Sequence, residues 1–73
     1  MNRSQLHTWL DDKFADVVLE AKKLTPDMDP IERAGTIAGM LMKTAIALAA
    51  KHGAPREIIE QSIAETLEEN YGP

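Results

Sequence analysis

The residues of this chain that could do chemistry are few and scattered. His7 and Asp11 stand one helical turn apart in "LHTWLDD", with Asp12 beside them. An imidazole and a carboxylate at that spacing could hold a divalent cation, or act as a base and its orienting group. Two ligands do not make a tight site, and no further His or Cys lies nearby, so a solvated helix face accounts for the pair. The other histidine, His52, directly precedes Gly53 at the end of an apolar stretch, where an imidazole interacts favourably with a helix dipole. There is no cysteine, which excludes disulfides, thiolate metal sites and a Cys/His nucleophile pair. No glycine-rich phosphate loop or nucleophile elbow occurs. The glutamates near the C-terminus fall on an open helix surface that gives no setting for acid–base work. The chain reads as a non-enzyme with no metal and no cofactor.

What must position any functional side chain here is helix. The 73 residues make a single domain, 1–73, of a size that buries only about 60% of the surface its unfolded chain exposes. Without a staple or a partner such a domain is marginal. Charged residues at 27% and apolar ones at 44% are values of a folded chain, not of a disordered tail. The longest apolar run, Thr36 to Ala50, is fifteen residues interrupted by Lys43, short of the roughly 20 a membrane span needs. The start "MNRSQLHTW" has no basic region followed by an apolar run, so no signal peptide is expected. These features predict a soluble, cytoplasmic protein.

Proline and glycine punctuate three helical segments, at about 5–24, 30–52 and 55–71. In the first, Leu6, Leu10, Phe14, Val17, Ala21 and Leu24 recur every three or four residues along one side, with Ser4 as the expected N-cap. "TPDMDP" breaks it. The second start is the sharpest local signal: Asp29 caps, Pro30 takes the first helical position, and Glu32 completes a capping box. Gly53 stops that helix, because glycine enters the left-handed conformation without a Cβ penalty. Pro55 opens the third, whose stripe is Ile59, Ile63 and Leu67, joined by Ala64 and Tyr71. The short connectors predict hairpins. The fold class is all-α, a three-helix hairpin or bundle.

The central segment "AGTIAGMLMKTAIALAAKHG" is built largely of small side chains. On a helical wheel, one apolar side holds Ala34, Ile37, Leu41, Ala45 and Leu48. A second, roughly 120° away, holds Gly35, Gly39, Met42, Ile46, Ala49 and Ala50. The polar strip between them is narrow: Glu32, Arg33, Thr36, Lys43 and Lys51, with Met40 among them. A helix that only lines a small core needs an apolar arc of about 100° or a little more. Two apolar sides need two sets of neighbours, either the two flanking helices or a second copy of the chain. Gly35 and Gly39 each cost roughly 1 kcal/mol in a helix interior relative to Ala, which is tolerated where another backbone must come close. The expected assembly is a homodimer through the central helix, with Gly35, Gly39, Met42, Ile46, Ala49 and Ala50 as the self-association residues.

Charge is confined to one end. Residues 1 to 54 balance seven Lys/Arg against seven Asp/Glu, and the net −4 comes from Arg56 against five glutamates. "LAAKHGAPREIIEQSI" resembles a helix-turn-helix, with Leu48 and Ala49, Gly53 four residues after Ala49, and Ile59 six beyond. The resemblance implies DNA binding through the helix after the turn. That helix offers Arg56 and Gln61 among Glu57, Glu60, Glu65, Glu68 and Glu69, a surface that a polyanion would repel. Glu57, Glu65, Glu68 and Glu69 instead form an acidic face suited to solvent or to a basic surface on another protein. Small acidic helical proteins, phage-encoded inhibitors among them, sometimes work in this way. With Trp9, whose residue type is enriched at binding hot spots, and Leu19, which lies opposite the first stripe, these glutamates are the expected partner-binding residues. The preferred reading is a homodimeric regulator or inhibitor that binds a larger protein. The alternatives are a DNA-binding regulator using residues 48–63 and an oligomer that holds a small ligand.

Overall fold

A computed structural model describes all residues from Met1 to Pro73. It is all-α, with three helices and no strand: α1 (Arg3–Leu24), α2 (Pro30–Lys51) and α3 (Arg56–Tyr71). No helix is long and apolar enough to cross a membrane. The chain divides into two compact units, Met1–Ala38 and Gly39–Pro73.

In the first unit the start of α1 corrects the sequence reading. Asn2, not Ser4, is the N-cap. The Asn2 side-chain oxygen accepts from the Gln5 amide at 2.9 Å, and the Gln5 side chain accepts from the Asn2 amide at 2.8 Å. That reciprocal box needs Gln or Glu three residues after the cap. Asn2 has Gln5 there, whereas Ser4 has His7, so the helix begins two residues earlier than expected. Asp29 caps α2 as anticipated, but by itself: one carboxylate oxygen takes the amides of Ile31 (3.0 Å) and Glu32 (3.1 Å), and the expected return bond from Glu32 is not made.

The turn joining α1 to α2 is held by Arg33. Its Nε donates to the Thr25 hydroxyl at 2.8 Å, and one terminal nitrogen donates to the carbonyls of Thr25 and Met28. The Thr25 hydroxyl passes a bond on to the Ala21 carbonyl at 2.7 Å. A guanidinium thereby satisfies carbonyls at and beyond the end of α1, where a helix leaves its acceptors unpaired and its dipole favours a cation. Arg33 was expected in the solvated strip; it is half-buried, as are Ala21, Thr25, Met28 and Ile37.

In the second unit α2 ends in a Schellman turn. The Gly53 amide donates to Ala50 at 3.1 Å and the Ala54 amide to Ala49 at 3.0 Å, with Gly53 at φ 78°. This pairing of bonds requires a left-handed residue, which glycine supplies without strain. The helix therefore stops at Lys51, one residue before the expected end. Pro55 lies just outside α3 as its cap, with extended backbone, and its carbonyl accepts from Ile58 and Ile59. Proline's fixed φ suits that place, and its missing amide loses nothing there. At the other end Gly72 closes α3, its amide donating to Glu68 at 2.8 Å.

No residue in either unit is buried. Ala49, Ile59 and Ile63 in the second unit are half-buried, and every other side chain there is exposed. The apolar stripe of α1 is exposed as well, at Leu6, Leu10, Phe14 and Val17. Full burial of a Leu, Phe or Val side chain contributes roughly 1.5–3 kcal/mol, so half-exposed positions leave much of that contribution unmade. Each unit has helices, caps and turns but no fully buried side chain of its own.

Candidate interaction surface

A concave apolar surface lies in the second unit, between the C-terminal half of α2 and α3. A groove of about 280 Å³ is lined by Met42, Ala45 and Ile46 from α2 and by Ile59, Ile63 and Leu67 from α3, with Ser62 and Thr66 at its wall. A second recess, of about 400 Å³, shares Ile46, Ile59 and Ile63 with it, so the two form one furrow. Spacing makes this surface: Ile59, Ile63 and Leu67 stand one turn apart, and Met42 and Ile46 do the same on α2. Some of its polar groups are already paired. The Thr66 hydroxyl donates to the Ser62 carbonyl at 2.8 Å, and beside the second recess Arg56 Nε donates to the Glu60 carboxylate at 2.5 Å.

The residues expected to mediate self-association fall partly on this furrow. Met42, Ile46 and Ala50 line it, and Ala49 is half-buried beside them on α2. At Gly35 and Gly39 an added Cβ would meet nothing within 4 Å. Nothing inside the chain thus accounts for glycine at those two helical positions. The furrow's other wall is Ile59, Ile63 and Leu67 of α3, in the sequence only the apolar stripe of the third helix. Its spacing was visible, but which side of α2 it meets was not.

The residues expected to meet a partner are accessible. Trp9 is 47% and Leu19 60% exposed. They stand ten residues apart on α1, about 15 Å along the axis. The Lys13 ammonium lies 5.8 Å from the Trp9 ring centroid, within cation–π range, and so covers one face of the indole. A shallow recess beside the ring is lined by Ser4, Gln5, Thr8 and Asp12. Glu57, Glu65, Glu68 and Glu69 are all exposed on α3, and Gln61 donates to Glu65 at 3.0 Å.

The structure also places the groups with chemical potential. His7 Nδ1 and Asp11 Oδ2 are 3.4 Å apart on an open face, and no three His, Asp or Glu gather where they could share an ion. The segment that resembles a helix-turn-helix does form a helix, a tight turn at Gly53 and a following helix. Its one arginine, Arg56, is engaged by Glu60. No protein-family model, curated protein or solved structure matches the chain.

Proposed function

We propose that this protein is a non-enzymatic interaction module that works as a homodimer and regulates a larger protein by binding it. One observation carries the first half of that reading: neither unit buries a single side chain, and the furrow residues Met42, Ile46 and Leu67 are 49%, 41% and 51% exposed. Gly35 and Gly39 support the same reading, since a Cβ at either position would meet nothing within 4 Å in the chain, which leaves room there for a second backbone.

The second half rests on what such a dimer leaves free. Trp9 and Leu19 on α1 and Glu57, Glu65, Glu68 and Glu69 on α3 line no part of the furrow and remain open to a partner with a basic surface. An acidic face raises the encounter rate with such a partner and repels nucleic acid.

Light scattering across a concentration series tests the dimer. The expected mass is twice the 8.1 kDa of one chain, and Gly39→Leu, which overfills the close approach, lowers it. An 8.1 kDa particle that melts sharply at high concentration refutes the dimer. For the partner, the test is affinity capture with wild type and with a Glu65→Lys, Glu68→Lys, Glu69→Lys variant of unchanged mass. Identical capture by both removes the acidic face from the reading.

A further inference from the structure

We infer that the α2–α3 furrow is the surface on which a second copy of this chain sits, two hairpins closing face to face about a two-fold axis. The inference rests on the dimer reading above and names the face through which it forms. Three observations select the furrow. Its lining is a ladder of apolar side chains, with Ile59 to Leu67 spanning about 12 Å along α3 and Met42 and Ile46 facing them from α2. None of these six side chains, Ala45 included, is buried by the chain itself, and Leu67 is 51% exposed. An apolar ladder of this length, open along one side, is half of a four-helix core.

The polar groups around the furrow tolerate a copy of themselves. In a two-fold contact each patch meets its own equivalent, so an unpaired charge there would face a like charge. The one ion pair bordering the furrow, Arg56 with Glu60, is neutral as a pair. Thr66 already spends its hydroxyl proton within the chain. On the α3 wheel Glu57, Glu65 and Glu68 fall on the side away from the Ile59–Ile63–Leu67 stripe, so the acidic faces of two copies point outward.

The furrow is also the surface of α2 that carries Gly39, because Gly39, Met42 and Ile46 share one side of that helix. The lack of a side chain at Gly39 admits a second helix where the furrow runs out.

Leu67→Asp and Met42→Asp each place a carboxylate in the furrow, and Ile31→Asp places one at an 83% exposed site in the first unit. At a concentration where wild type is dimeric, both furrow variants are expected to weaken self-association by at least about tenfold, with Ile31→Asp unchanged. A dimer that persists in both furrow variants overturns the furrow and leaves the dimer standing; a wild type that is monomeric overturns both. Should the variants fail to fold, spin labels decide on otherwise intact chains, made possible by the lack of native cysteine. A label at Thr66→Cys should lie closer to its copy across the dimer than one at Glu68→Cys does to its own. The reverse order, or a label at Leu10→Cys of one copy nearest Thr66→Cys of the other, overturns the face-to-face arrangement. In the latter case α1 of the second copy fills the furrow.

Discussion

Arg33→Ala removes three hydrogen bonds from one turn: those to the Thr25 hydroxyl, the Thr25 carbonyl and the Met28 carbonyl. Bonds from a charged donor contribute about 1.5–3 kcal/mol each where water is excluded. Here the site is half-buried, so water replaces part of the loss. Two acceptors also keep other partners. The Thr25 carbonyl still accepts from the Met28 amide at 3.2 Å, and the Thr25 hydroxyl still donates to Ala21. The expected net destabilisation is therefore about 2 kcal/mol in all, nearer to one charged bond than to three. For a domain of this length that corresponds to a fall in Tm of about 8–16 °C. Arg33→Lys keeps the charge but not the planar fork, and a single ammonium does not serve a hydroxyl and two carbonyls together. It should recover less than half of the loss. The assay is thermal unfolding followed by far-UV circular dichroism, with every variant at one protein concentration because self-association makes Tm depend on it. An alanine variant within about 2 °C of wild type, or a lysine variant equal to wild type, would show that the clamp does not hold the turn.

Two further outcomes follow from the helix ends. Gly53→Ala forces a Cβ into φ 78° and should lower stability by about 1–2 kcal/mol. Added space cannot rescue it, since a Cβ there already meets nothing. Asn2→Ala should cost about 1 kcal/mol of helix stability, read as fraying of α1 by hydrogen exchange, while Ser4→Ala should leave α1 within about 0.5 kcal/mol of wild type; equal effects would restore Ser4 as the cap.

The helices were legible because their boundaries are written in residues whose backbone preferences differ from those of a helix interior. Pro30 and Pro55 suit a helix start, Gly53 takes the left-handed turn that ends one, and Asp29 supplies the oxygen the second start needs. Three things were not legible, each for a physical reason. Both Asn2 and Ser4 are good cap types, and only the reach of Gln5 back to residue 2 separates them. Arg33 falls on the polar strip of a wheel, but a wheel treats every long side chain as pointing outward. It ignores that a guanidinium at the start of a helix can reach the turn before it. The furrow needed the meeting of two stripes, and a wheel draws each helix alone. From α2 by itself only the small-residue side offers uncovered surface. The structure leaves the α1 residues Leu6, Leu10, Phe14 and Val17 exposed as well, and of the α3 stripe it half-buries Ile59 and Ile63 while Leu67 stays 51% exposed.

A chain without an interior has an unusual relation to its own abundance. If folding is completed only by pairing, dilution acts as a denaturant, and at low levels the amount of assembled protein follows the square of the amount synthesised. Halving the supply then leaves about a quarter of the active species. The unpaired remainder, with its greasy ridges bare, is what proteases clear first. Dosage would thus set a threshold on activity with no ligand and no modification involved.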